Sequence, residues 1–262
     1  TLGNPEFQRW FRGSKVVGDD GKPLVLYHGT VKDFEAFQTG YPKGYVGAGI
    51  YFTDNPDEAS QSYGSVGGPD LLAKIEQITD QRVNELNQAG EDYKYDDIYD
   101  QVTKENRDHH GAVIPAFMAL KRPFIMHGDN ETQFDVGMRE RFIEASKSVA
   151  RDMLNIFPEE LQKMFNDYYD PEELIGGADL RAAVTSSSAF VDAIEPISGV
   201  ESSPEAFRQT LQLMGFDGII DRGAGRRWRM MPGVSGSETH YIAFQPTQIK
   251  SIYNNGNFSE DD

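Results

Sequence analysis

The sequence contains no cysteine, which excludes disulfides, thiolate metal sites and cysteine nucleophiles together and is compatible with a reducing cytoplasm. It is short of positive charge. Twenty-five lysines and arginines stand against 42 aspartates and glutamates, a formal net charge of −17. Such a surface repels a phosphate polymer, so broad nucleic-acid binding is disfavoured. Nowhere is there an apolar run of ~18 residues, the length needed to span a membrane. The opening TLGNPEFQRWF has neither the charged start nor the apolar stretch of a signal peptide. It also lacks an initiator Met, the pattern of a segment cut from a longer protein. No P-loop and no G-x-S-x-G elbow occurs, so readings as a P-loop NTPase or a serine hydrolase fail. His109 and His110 are adjacent and point in different directions, and His127 stands alone, so no metal site is predicted.

What is present reads as one globular domain. At 262 residues, with 38% hydrophobic and 11% aromatic side chains, the chain is long and apolar enough for a sizeable core. Asn4, Pro5 and Gly13 bracket a short helix as cap, first residue and stop, with Phe7, Trp10 and Phe11 on one face. Val16-Val17 and Pro23 to Tyr27, around Gly18 to Gly21, read as strand, tight turn, strand. A glycine-rich loop leads to a β run at Gly49 to Phe52, and Asn55-Pro56 opens a helix running to about Tyr63. Residues 113–120, 123–126, 216–221, 238–244 and 249–253 read as β structure, and Ser203 starts a helix that Gly215 stops. The stretches 66–110 and 131–200 are polar and helical in pattern. Glu91 to Asp100 is acidic but lacks EF-hand spacing. The expected fold class is α+β, a single domain over 1–262 with helical insertions at about 66–110 and 131–200.

Two segments carry residue types suited to binding a nucleotide. His28 lies in the run Leu24 to Thr30, sharing a strand face with Leu24 and Leu26, and Gly29 after it lets a ligand approach the backbone. In Gly47 to Asp54, Tyr51 shares a face with Gly49 and Thr53, opposite Ile50 and Phe52. Tyr63, one helix later, offers a second ring, and two facing aromatics form a slot for a flat heteroaromatic ring. Farther on, Arg226, Arg227, Trp228 and Arg229 form a basic, aromatic cluster in an otherwise acidic chain, suited to phosphates or an anionic acceptor.

Together, Tyr27-His28-Gly29-Thr30, Gly47 to Asp54, Ser60 to Tyr63 and the run Thr239 to Ser251 resemble the ADP-ribosyltransferase superfamily, in its diphtheria-toxin and poly(ADP-ribose) polymerase class. The resemblance extends to the ADP-ribosyltransferase-like domains of phage and mobile-element multidomain proteins, through Asn4 to Thr30 and Asn255 to Phe258, and covers the first ~65 and last ~60 residues. It implies a split antiparallel β-sandwich and NAD as substrate, with no metal. His28 would bond the adenosine-side ribose, with Thr30 assisting. Gly29 would hold the nicotinamide carboxamide by its backbone, Tyr51 and Tyr63 would sandwich the ring, and Ser60 would reach its amide. Arg226, Arg227, Trp228 and Arg229 would face the acceptor, a protein rather than a nucleic acid. A cytoplasmic setting is implied, including delivery into a host bacterial cell as a toxin-like or effector-like domain, with no membrane partner.

The implied chemistry resembles glycoside cleavage, with oxocarbenium character developing in the ribose. Nicotinamide leaves as a neutral molecule, so the protein's task is to hold the ribose and stabilise positive charge. The family's last strand usually supplies a Glu for this. Here His240 stands at that position, with Glu238 two residues earlier on the same strand face. Glu238 supplies the carboxylate from a shifted place, or neutral His240 accepts the ribose hydroxyl, or transfer is lost and only binding of NAD or a protein remains. The expected activity is mono-ADP-ribosyl transfer to a macromolecule, with NAD glycohydrolysis as the alternative.

Overall fold

The computed structural model describes residues 1–31, 36–37, 47–63, 69–106, 111–126, 136–149, 203–223, 235–254 and 258. Its centre is a seven-stranded sheet. The strands are β1 (Leu26–Thr30), β2 (Ile50–Thr53), β3 (Ala112–Met118), β4 (Pro123–Met126), β5 (Gly218–Asp221), β6 (His240–Ala243) and β7 (Ile249–Ser251). They lie in the order β4-β5-β6-β2-β1-β3-β7. Every pairing is antiparallel except β4 with β5, which is parallel. That pair departs from an all-antiparallel expectation. Parallel neighbours need a crossover of a dozen residues or more, and the chain between Met126 and Gly218 supplies one.

The helices are α1 (Pro5–Phe11), α2 (Pro56–Glu58), α3 (Pro69–Ala89), α4 (Tyr95–Glu105), α5 (Val136–Val149) and α6 (Ser203–Leu213). A π-helical turn over Ala59–Tyr63 continues α2. Helices α3 and α4 lie against each other and close over Val31, Leu71, Ile75 and Val102. Between β4 and α6, helix α5 lies among the described residues.

Alternation along the strands divides the core in two. Ile50, Phe52, Ile220 and Tyr241 join Phe7, Trp10 and Phe11 of α1 on one face, while Ile219, Ile242 and partly buried Tyr51 join Phe207 and Leu211 of α6 on the other. Each such side chain contributes roughly 1.5–3 kcal/mol by leaving water. On the α1 face the chain ends meet. The Phe258 ring sits edge-on to Phe7 at 5.4 Å, and Trp10 Nε1 donates to the Thr247 carbonyl at 3.1 Å. Asn4 caps α1 through the Glu6 amide, as expected.

Some boundaries shift. Val17 and Pro23 form only an isolated bridge, and the regular strand begins at Leu26. The last-strand run expected from Glu238 is ordered as β6 from His240 onward, because Glu238 closes the preceding loop. Among the described residues, no helix is long and apolar enough to cross a membrane.

Candidate functional site

β1, β2 and β6 lie side by side and bring His28, Tyr51 and His240 into one region. β1 is central, bonded along its whole length to β3, from Leu26↔Ala116 to Thr30↔Ala112. Its register with β2 is the single pair Tyr27↔Thr53. Past that pair a side chain takes over: His28 Nδ1 lies 2.7 Å from the Tyr51 carbonyl oxygen. A carbonyl only accepts, so Nδ1 carries the hydrogen, and in the neutral ring Nε2 is the acceptor nitrogen. The ring is held against Phe37 and Phe52, at centroid distances of 5.2 and 5.3 Å.

Counting from Tyr27↔Thr53 puts Gly29 in the row of Tyr51 and on its face, with His28 on the other face. His28 and Tyr51 thus meet ring to main chain, not ring to ring. The half-buried Tyr51 ring is oriented by its hydroxyl, which donates to the Gly47 carbonyl at 2.5 Å. Gly49, directly before β2, is a glycine because β6 lies against it. A Cβ there would lie 2.4 Å from Ile242 Cγ2 and 2.9 Å from the Ala243 carbonyl oxygen, so β6 packs directly on its backbone. Thr30 is buried at the end of β1, and Ser60 is exposed on the π-helical turn. The Tyr63 side chain and Arg226, Arg227, Trp228 and Arg229 lie outside the described residues.

β6 pairs with β2 through Thr53↔His240 and Tyr51↔Ile242, and with β5 through Asp221↔His240. His240 is buried, and its Nε2 lies 2.7 Å from Oε1 of Glu58, a carboxylate with no exposed surface. The other oxygen, Oε2, accepts from the Thr53 hydroxyl at 2.5 Å. Glu58 was not foreseen. The signal available was its place three residues after the cap Asn55, where a Glu usually folds back to the cap's own amide. Here Thr53 Oγ1 takes the Asn55 amide instead, at 3.2 Å, and Glu58 turns into the sheet.

Glu238 occupies a different environment. Its carboxylate accepts from Asn55 Nδ2 at 2.8 Å and from the amides of Ser235 and Gly236 at 2.5 and 2.8 Å. Burial opposes its ionisation, but the bonds from Ser235 and Asn55 win and hold its pKa down to about 2. Asn55 also caps α2, accepting from the amides of Asp57 and Glu58, so one side chain joins Glu238 to the turn that carries Glu58. Next to them, burial and the Glu58 charge push the Asp54 carboxyl up despite the bond its Oδ1 accepts from the Thr239 amide. Burial and Asp54 together push the Tyr241 phenol up to about 12. The carboxyl groups of Asp54, Glu58 and Glu238 therefore gather around the start of β6. Among the described residues, no group of three or more His, Asp or Glu is placed to hold a metal ion.

No curated protein and no solved structure matches the chain. Residues 18–110, which contain His28, Gly29, Tyr51, Glu58 and Ser60, match the family model described as ADP-ribosyltransferase in polyvalent proteins, and this match supports an ADP-ribosyltransferase-like domain in that part of the chain.

Proposed function

We propose that this domain cleaves the nicotinamide–ribose bond of NAD and transfers the ADP-ribosyl group, one unit at a time, to a macromolecular acceptor. ADP-ribosyltransferase domains take NAD and an acceptor, and the family match supports transferase activity in general. The observation that carries the finer reading is the arrangement of β1, β2 and β6. It sets a tautomer-fixed His28, the bare backbone of Gly29, an oriented Tyr51 ring and a buried His240 on neighbouring strands.

In this reading Gly29 offers its N–H and C=O to the nicotinamide carboxamide, where no side chain blocks approach. Tyr51 stacks on the ring with Tyr63 opposite, and Ser60 reaches the amide. Nε2 of His28 accepts from a hydroxyl of the adenosine-side ribose, with Thr30 behind it. His240 faces the reacting ribose. Arg226, Arg227, Trp228 and Arg229 belong to the acceptor side. As the glycosidic bond lengthens, positive charge grows on the ribose, and negative charge fixed nearby lowers that barrier without reorganisation. Polymer synthesis is not part of the proposal, because chain extension needs an activated ribose hydroxyl as nucleophile. The split antiparallel arrangement is likewise proposed. In its favour stands the single register pair between β1 and β2, with the His28 side chain bridging beyond it.

The test is incubation with NAD labelled in its adenylate. Label fixed to a macromolecule, with one ADP-ribose per site, is the expected result. Free ADP-ribose and nicotinamide alone would replace transfer by hydrolysis, and unchanged NAD would reduce the domain to a binding module.

A further inference from the structure

Glu58 is a fully buried carboxylate for which the reading above has no use. Burying a charge this deep is costly unless it is paired and hydrogen-bonded, and its two oxygens go to Thr53 and His240. Both partners stand in one row of the sheet, Thr53↔His240. The turn is built to deliver it. Asn55 caps α2 through the Glu58 amide, and Thr53 serves the Asn55 amide that the carboxylate would otherwise bond.

We propose that Glu58 is the positioning residue for His240, and that the two together replace the single carboxylate this strand lacks. The inference rests on the transferase reading of the site. A carboxylate accepts only, so the Glu58 contact keeps the hydrogen of His240 on Nε2, and in the neutral ring Nδ1 is then the accepting nitrogen. Neutral His240 with ionised Glu58 carries one negative charge, as a lone Glu would, but sets it one hydrogen bond behind the ring. When a hydroxyl of the ribose or the acceptor gives its proton to His240 Nδ1, the Nε2 hydrogen stays with the ring. Glu58 then faces an imidazolium and stabilises it, the same division of labour as in a Ser-His-Asp triad.

Three variants of the full chain, assayed for NAD cleavage, test this. Glu58→Gln keeps the size of the side chain and an accepting oxygen but removes the charge. It is expected to lower kcat about 10²-fold, with the KM for NAD within about threefold and a lowered thermal midpoint that still leaves the protein folded at the assay temperature. His240→Gln is expected to lose about as much, and the double variant no more than either, because a residue acting through another adds nothing once that other is gone. A Glu58→Gln kcat equal to wild type, or independent losses that multiply in the double variant, overturns the assignment while leaving the transferase reading in place. No NAD cleavage by the wild type overturns both. Histidine-selective nitrogen NMR on the wild-type protein needs no stable Glu58 variant. The signal lost in His240→Gln must report a ring protonated at Nε2, and an Nδ1-protonated tautomer overturns the inference.

Discussion

The Nδ1 atom of His28 lies 2.7 Å from the main-chain carbonyl oxygen of Tyr51. One contact therefore does two things: it joins β1 to β2 beyond their single register pair, and it decides which ring nitrogen can meet a ligand hydroxyl. His28→Ala removes a hydrogen bond to the proposed ribose, a loss of about 1–2 kcal/mol or roughly 5–30-fold in affinity. Because that ribose belongs to the adenosine side, ADP-ribose should lose affinity in the same proportion as NAD, while nicotinamide should not. Competition binding with the three ligands checks this. Equal losses for all three would mean that His28 acts only by holding the Tyr51 main chain.

Tyr51 separates into a ring and a hydroxyl. Tyr51→Ala removes the stacking surface and is expected to weaken NAD binding by about 1–3 kcal/mol. Tyr51→Phe keeps the surface and loses the hydroxyl with its bond to Gly47, a cost of about 0.5–1.5 kcal/mol in stability with NAD affinity much less affected than in the Ala variant. Calorimetric titration and thermal unfolding of both variants give the comparison. A folded Ala variant that binds NAD as wild type does would remove Tyr51 from the cleft.

Much of this was legible in the sequence, for identifiable reasons. Helix limits at Asn4, Asn55 and Gly215 rest on capping and left-handed glycine, which are local effects. The alternation of Ile50 and Phe52 against Tyr51 needs only the period of a strand. The parallel pairing of β4 with β5 was not legible, since strands nearly a hundred residues apart leave no local trace of their neighbours. The destination of Glu58 was hidden for a related reason. Its local pattern points to a capping box, and only the arrival of β6 beside β2 puts His240 within its reach. The demand for glycine at position 49 was hidden in the same way, because the clash comes from Ile242 and Ala243.

Gly49→Ala should consequently damage the fold and not just the cleft. Its Cβ would meet Ile242 Cγ2 at 2.4 Å and a main-chain oxygen at 2.9 Å, so β2 and β6 must move apart. Overpacking of this kind costs about 1–3 kcal/mol, readable as a lower urea midpoint. The same shift would pull Thr53 away from the row it shares with His240, so NAD cleavage should fall along with stability. A variant of wild-type stability would mean that β6 gives way at no cost.

Glu238 supplies the last prediction, in which pH distinguishes a structural carboxylate from a catalytic one. Folding lowers its pKa from 4.5 to about 2, because the bonds from Ser235 and Asn55 favour the ionised form more than burial disfavours it. A carboxyl whose pKa falls on folding stabilises the native state at pH values above its unfolded value. That contribution is lost as pH drops from about 4.5 toward about 2. At 1.36 kcal/mol per pKa unit it amounts to about 3 kcal/mol. Glu238→Gln should therefore cost up to this amount at pH 7, and the gap between variant and wild type should close through the same window, where the wild-type carboxyl is itself protonated. Urea unfolding of both proteins at several pH values between 7 and 3 measures the gap. If the gap is absent at pH 7 while kcat collapses, Glu238 is the carboxylate that meets the ribose. If the gap is present and closes with acid while kcat is unchanged, Glu238 acts by holding Asn55 and the loop before β6.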